Sequence, residues 1–393
     1  VNKVSKHKTG FVVAFKREIK DYQRRSGELI LSVTILLISM FIVAWIFSSG
    51  TLTDLPVAVI DQDNSSVSRA YVRMLEATPE MQIINHLSSP AQGRELLEQS
   101  SIYAFVLIPE DFGNDLKTGR QATVVAWHSR QFLTISGVLS KSLRKVTATI
   151  SAKVEMTSLT KRGDTSLAAN VKYEPVKSEL RTMFNPFQNY QYFLVAGLWP
   201  AMLQIFVMLW TVFAVGREFR DNTSAEWLAS ASNVYAAVAA KVLPVFIIAC
   251  AIGLGCLAWL YGVEGWPING SLSLLIVGWA LTIGAHIVLG VFAAAFAPLM
   301  ATALSFAVFL TAPAYAYAGI TFPQHAMPVL AQLWAYVMPV RSLLRLQVEQ
   351  VEIGAPVSNS MPELLILVTF ILLPIPFAFR RIRIRCEASG ISA

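Results

Sequence analysis

His286 is the one ionisable side chain set deep in an apolar stretch of this 393-residue chain. Burying a charge in hydrocarbon is costly, so groups of this kind mark transport paths by default. A neutral imidazole is cheaper to bury, and a hydrogen bond from one helix to another is the simpler reading of His286. Gln204, Tyr315 and Tyr317 sit in other apolar stretches and invite the same two readings, the lining of a translocation path or bonds between helices. A second constellation is the charged run Arg217, Glu218, Arg220 and Asp221, continued by Thr223, Glu226 and Trp227. By charge alone it is either a solvated loop or a contact surface for a partner.

Metal and redox chemistry find little support. Asp61, Asp63 and Asn64 begin like a calcium loop, but Ser66 and Val72 occupy the positions where glycine and the closing glutamate belong. A strand end followed by a helix N-cap explains the same residues without an ion. Cys250 and Cys256 fall on different faces of one helix in apolar sequence, which suits packing. His86 and His128 have no Cys or His partner at ligand spacing. The chain also contains no G-x-x-x-x-G-K-[ST], no G-x-S-x-G and no H-E-x-x-H, and almost no acidic residue within its apolar stretches. It therefore has no evident means of hydrolysing a nucleotide. A membrane hydrolase and an ion-coupled carrier are both disfavoured, and no cofactor is expected in this chain.

The elements that must carry these residues are membrane helices. Hydrophobic residues make up 54% of the chain and charged ones only 15%, outside the range of ordinary soluble domains. Six stretches, at 29–48, 192–215, 241–262, 273–298, 300–321 and 361–379, approach the twenty or so residues a helix needs to cross hydrocarbon. The first is too long for a cleaved leader and lacks a small-residue cleavage site, so it reads as a retained anchor. Lys16, Arg17, Lys20, Arg24 and Arg25, then Arg217, Arg220 and Lys241, then Arg380, Arg381, Arg383 and Arg385 all fall on one side of a six-span arrangement. The positive-inside rule makes that side cytoplasmic, with Arg341 and Arg345 as exceptions on the other. Ahead of the first span, Phe11, Phe15, Ile19 and Tyr22 recur at helical spacing opposite Lys16, Lys20 and Arg24, the pattern of a helix lying in an anionic headgroup layer.

Between the first and second spans the periodicity changes. Leu55–Asp61, Met81–Leu87, Ile102–Ile108 and Ala122–His128 read as strands, with helices at Ser66–Ala77, Ala91–Gln99 and Asp111–Gly119 between them. A longer helical stretch follows from Phe132 to about Lys161. Such alternation predicts a mixed α/β domain with a partly parallel sheet, and since no cysteine lies in it, no disulfide staples it. The domain plan is a cytoplasmic N-terminus with its interfacial helix at 1–28, a first transmembrane helix at 29–48, and an extracytoplasmic α/β domain at 49–190. A five-helix transmembrane region at 191–379 includes a cytoplasmic segment at 216–240, and a basic cytoplasmic tail occupies 380–393.

Several segments together resemble the ABC-2 type exporter permeases with a large external domain after the first span. Phe15-Lys16-Arg17-Glu18-Ile19-Lys20-Asp21 is similar to that family's basic interfacial helix. Leu55 to Arg69 and Ala104 to Phe112 resemble the start and middle of its external domain, and Asn185-Pro186 with Phe193 to Gly197 its entry into the second span. Gly319 to Pro323, Ala326 to Pro328 and Met338 to Arg341 resemble its re-entrant stretch before the last span. Gly216 to Leu228 looks like its cytoplasmic coupling segment, with Asn222 where the family usually has Gly. Asn is the best substitute for Gly at a positive φ. At Trp127 to Arg130, relatives tend to carry a polar turn such as Asp-Gly.

The resemblance implies a membrane permease in a bacterial inner membrane, forming the translocation path of an ATP-driven efflux system. Arg217, Glu218, Arg220, Thr223, Glu226 and Trp227 would then couple it to separate ABC ATPase subunits, where ATP and Mg bind. It also implies a second permease copy or paralogue, a periplasmic adaptor of the membrane-fusion type, and no nucleic acid. The alternative from another class is a membrane-anchored receptor or docking protein that uses its external domain. Copurification with a Walker-motif ATPase separates the two.

Overall fold

The computed structural model describes residues 10–118, 120–129, 131–161 and 189–391. The Asn185-Pro186 resemblance, Arg130, and the outer parts of the segments expected at 1–28, 49–190 and 380–393 lie outside them. The chain divides into two compact units, one formed by Val1–Ser48 with Phe184–Ala393 and the other by Ser49–Met183.

The first unit is helical. Helix α1 (Phe11–Arg24) precedes α2 (Ser26–Ile46), a helix apolar all round, as expected for one that meets lipid on most faces. Six helical segments are long and apolar enough to cross a membrane: Ser26–Ile46, Tyr190–Arg220, Val234–Val263, Leu272–Phe296, Met300–Tyr317 and Val357–Ala388. Each contains most of a stretch read from the sequence, and the differences have local causes. The third begins earlier than residue 241 because Asn233 caps it, its side chain accepting a bond from Ala236 N–H at 2.8 Å. The stretch read at 300–321 is not one helix, since Pro313 lacks an N–H and the regular helix stops at Thr311. The last runs past residue 379 because its arginines continue the helix instead of ending it.

The inserted unit is a four-stranded sheet with helices on both faces. Strands β1 (Leu55–Asp61), β2 (Met81–His86), β3 (Ala104–Ile108) and β4 (Val125–His128) take the order β2-β1-β3-β4. β1 pairs parallel with β2 and β3, and β4 joins antiparallel at the edge, so the sheet is mixed as expected. Alternation sorts the side chains to two faces. Val57, Val59, Val106 and Ile108 pack with α3 (Ser66–Glu76) and α6 (Leu133–Lys161), where Tyr71 bonds Thr147 at 2.8 Å. Ala58, Ile60 and Phe105 meet the helix α4 (Pro90–Glu98) on the other face. A short helix, α5 (Phe112–Thr118), completes the insert.

The calcium-like loop is a turn and a cap. Asp61 accepts from the backbone N–H groups of Asp63 and Asn64, Asp63 accepts from Gly113 N–H, and Ser65 caps α3. At the departure noted at residues 127–130, Trp127 stacks on Phe105 with centroids 4.8 Å apart, and His128 bonds Ser136 at 3.0 Å.

Candidate functional site

After the insert come α7 (Tyr190–Arg220), the short α8 (Ser224–Ala229), α9 (Val234–Leu257), α10 (Leu272–Phe296) and α11 (Met300–Thr311). The charged run lies where α7 ends and the chain reverses into α8. Asn222 takes φ +57°, the left-handed conformation for which Asn is the best replacement for Gly. The helix therefore breaks at 221–223, and Glu218 and Glu226 do not share a face as one continuous helix would have placed them. Glu218 is buried, while Glu226 stands exposed in the first turn of α8.

Around Glu218 four charges meet. Lys241 Nζ, on α9, donates to Glu218 Oε1 at 2.8 Å and lies 2.7 Å from Glu18 Oε1 on α1. Arg17 reaches Glu218 Oε2 at 3.1 Å, and the Thr223 hydroxyl donates to the same oxygen. Two carboxylates, one ammonium and one guanidinium balance in charge. The Lys241 and both glutamate side chains are 5% exposed or less, so the centre of this cluster is sealed from water, with Arg17 partly exposed at its edge. Burial pushes the Glu18 carboxyl above its ordinary range, against the pull of Lys241.

Trp227 is fully buried under the same cluster. Its Nε1–H donates to Ala237 O at 3.3 Å, and Lys241 lies 5.2 Å from its ring centroid. Gly10 N–H donates to Ser230 O at 3.2 Å, which ties the start of α1 to the end of α8. Of the six residues singled out, then, Glu218, Thr223 and Trp227 clamp the segment from within. Arg217 bonds Phe213 O at 2.9 Å, and Arg220 pairs with Asp221 at 2.7 Å. Asp221, Asn222, Ala225 and Glu226 form the open face.

Lys241, Glu18 and Arg17 were counted in the sequence only as positive-inside residues or as part of a basic helix. The signal was available, since Glu18 falls three residues from Phe15 and four from Tyr22, on the apolar side of α1. A carboxylate on an apolar face needs a cation from elsewhere. On the last helix, Ile375–Ile391, Arg385 behaves similarly, donating to Ala294 O and Ala297 O at 2.9 Å where α10 ends.

The second set of residues is not brought together in one place. His286 is buried, but its Nδ1–H donates to Thr282 O at 2.8 Å within its own helix, so the expected helix-to-helix bond is replaced by an intrahelical one. Gln204 supplies the bond between helices, donating to Thr311 O at 3.2 Å. Gln204 and His286 line a common cavity of about 10 Å³, the size of a single water. Tyr315 and Tyr317 pack elsewhere, against Ala314, Ala318, Met338 and Leu344. Ala303 and Ala307 are buried against Met208 and Val212 of α7 as small residues at a helix crossing should be, whereas Ala312 and Ala316 are exposed. Gly290 serves the α10–α7 crossing, where an added Cβ would sit 2.8 Å from Thr211.

A membrane-capable helical body with an inserted α/β unit, a clamped interhelical segment and no nucleotide-binding loop in its sequence has the design of a transporter's membrane subunit. The sequence profile of the ABC-2 family transporter proteins matches residues 28–380, and the chain belongs to that family. Over 295 residues it is 25% identical to the probable multidrug ABC transporter permease YbhR of Escherichia coli K12, covering 74% of this chain and 76% of that one. It is 24% identical to the inner membrane transport permease YhhJ of the same organism over 320 residues, 77% and 79% of the two chains. The protein is thus a membrane permease subunit and not itself an enzyme; permeases of this family work with separate ABC ATPase subunits.

Proposed function

We propose that this permease is the membrane subunit of an ATP-driven exporter and receives its drive through the segment at 216–228. The observation that carries this reading is the sealed Glu18, Lys241 and Glu218 cluster, edged by Arg17, which joins α1, the end of α7 and the start of α9 directly behind the exposed face of α8. A loop that only linked two spans would gain nothing from three charges buried at such cost, with Arg17 at their edge. Force applied at Glu226 would pass through Trp227 and Glu218 into α7, α9 and α1 as one body, switching a central cavity between inward and outward access. ATP and Mg would bind in the partner subunit, and a second permease copy or a paralogue would complete the path.

The basic residues on one side support both termini and the 216–240 segment being cytoplasmic, with the inserted unit periplasmic or extracellular. That unit would guide release or dock a periplasmic adaptor of the membrane-fusion type. The relatives' inner-membrane and multidrug descriptions favour a bacterial inner-membrane efflux system over an anchored receptor. The test is transport itself. Inverted vesicles holding the permease and its ATPase should accumulate an amphipathic dye only with ATP and Mg. No ATP-dependent accumulation, or copurification without any ATPase, would overturn the exporter reading.

A further inference from the structure

A cavity of about 270 Å³ lies between the first turns of α7, the bend at Gly319 and Ile320, and the helix Pro339–Gln347 with its continuation. Phe193, Ile320, Leu344 and Val348 give it apolar walls. Its polar groups are Gln347 and Glu352. Past Gln347 the helix widens into a π turn over Val348–Ile353, with i to i+5 hydrogen bonds, and both Gln347 and Glu352 line the cavity. Turns of this kind are frequent at functional sites.

Both groups present acceptors. Gln347 is only 6% exposed, and its Nε2–H donates to Ala196 O at 3.0 Å, which fixes the amide and leaves Oε1 buried without a partner. Glu352 has no hydrogen-bond or ion-pair partner for its carboxylate among the described residues, and burial pushes that carboxyl above its ordinary range. The nearby cations are committed elsewhere. Arg345 pairs with Glu363 at 3.2 Å, and Arg341 donates to Gln324 at 2.9 Å. Tyr315, packed where a Cβ on Gly197 would be 2.6 Å from its ring, also keeps its buried hydroxyl unpartnered. A half-buried carboxylate with no ion-pair partner among the described residues, set beside a buried and orphaned carbonyl oxygen within apolar walls, suits a positive ligand that brings its own N–H donors.

We propose that this pocket is a binding subsite for the protonated amine end of amphipathic organic cations, with Glu352 as countercharge and Gln347 Oε1 as the orienting acceptor. The volume lies just below the usual range for whole drug-sized ligands, so it takes the amine and the adjoining ring or chain, with the remainder outside. This assignment rests on the exporter reading for its physiological meaning, but its test does not need transport. Rhodamine 6G, a cationic dye with N–H donors, is titrated into the purified permease in detergent without any ATPase, and binding is read by fluorescence anisotropy.

Wild type should bind the dye saturably, Glu352→Gln should weaken it about tenfold or more, and Glu264→Gln, outside this pocket, should leave it unchanged. An alkyl sulfonate of matching length should not compete. Wild-type affinity in Glu352→Gln, competition by the sulfonate, or no saturable binding by wild type would each overturn the proposal. If Glu352→Gln loses its monodisperse elution profile, protection of Glu352 from a hydrophobic carbodiimide by the dye in the wild-type protein decides instead, and absence of protection overturns it. Failure here leaves ATP-driven accumulation to be judged by the vesicle assay, and failure there leaves this binding curve standing.

Discussion

Replacing Lys241 by Met should unclamp the end of α7 while changing little in volume. The ammonium touches Glu218 at 2.8 Å and Glu18 at 2.7 Å, and its side chain is 3% exposed, so water cannot take its place. Two buried carboxylates would then face each other with only Arg17, which is 27% exposed, in attendance. Removing one partner of a buried pair costs about 3–5 kcal/mol. For a body of this size, about 2–4 °C of midpoint per kcal/mol converts that into a loss of roughly 6–20 °C in thermal unfolding. Adding Glu18→Gln to Lys241→Met removes the surplus negative charge and should recover a large part of the loss. Thermal unfolding of the purified variants in one detergent measures both numbers. A single variant within about 2 °C of wild type, or a double variant no better than the single, would refute the sealed cluster as the clamp.

Glu226→Lys should leave folding and membrane insertion intact while weakening ATPase copurification about 5- to 150-fold, the equivalent of 1–3 kcal/mol at one partly desolvated contact. Unchanged copurification and hydrolysis would leave α8 as a solvated link. His286→Gln should keep most transport, because the amide can still donate to Thr282 O, whereas His286→Leu removes that donor and should impair assembly or activity. Equal damage from both in well-assembled protein would favour a proton or cargo role for the imidazole. Cysteines at the exposed Ser88 and Ala225 should label from opposite sides of the membrane, and same-side labelling would remove the orientation.

The helices and the insert were legible because their signals are periodic and local. Runs of apolar residues longer than eighteen mark spans, and the short continuous apolar runs of Leu55–Asp61 and Ala104–Ile108 mark buried strands whose pairing confirms them. Errors came where a single residue overrode the pattern. Asn233 starts α9 before its hydrophobic run begins, and Pro313 ends α11 within one. Arg341 and Arg345, anomalous under a charge-counting rule, are explained by Glu363, to which both are paired across sequence distances no periodicity reports.

The candidate site was legible only in outline, for a physical reason. Segment 216–228 attracted notice through its charges, but charge does not reveal direction. Glu218 and Glu226 look equivalent in the sequence, and the positive φ at Asn222 turns one inward and the other outward. That division matters for the coupling we propose. An inward carboxylate held by Lys241 would make the segment stiff, and an outward one on α8 would give a partner something to grip. Neither suffices alone, since a gripped but floppy loop absorbs motion and a rigid but smooth one receives none. Transmission through a packed body needs discrete contacts at both ends. The Lys241 and Glu226 variants therefore test separate halves of one device: the first should reduce stability with the contact face intact, the second should reduce coupling with stability intact.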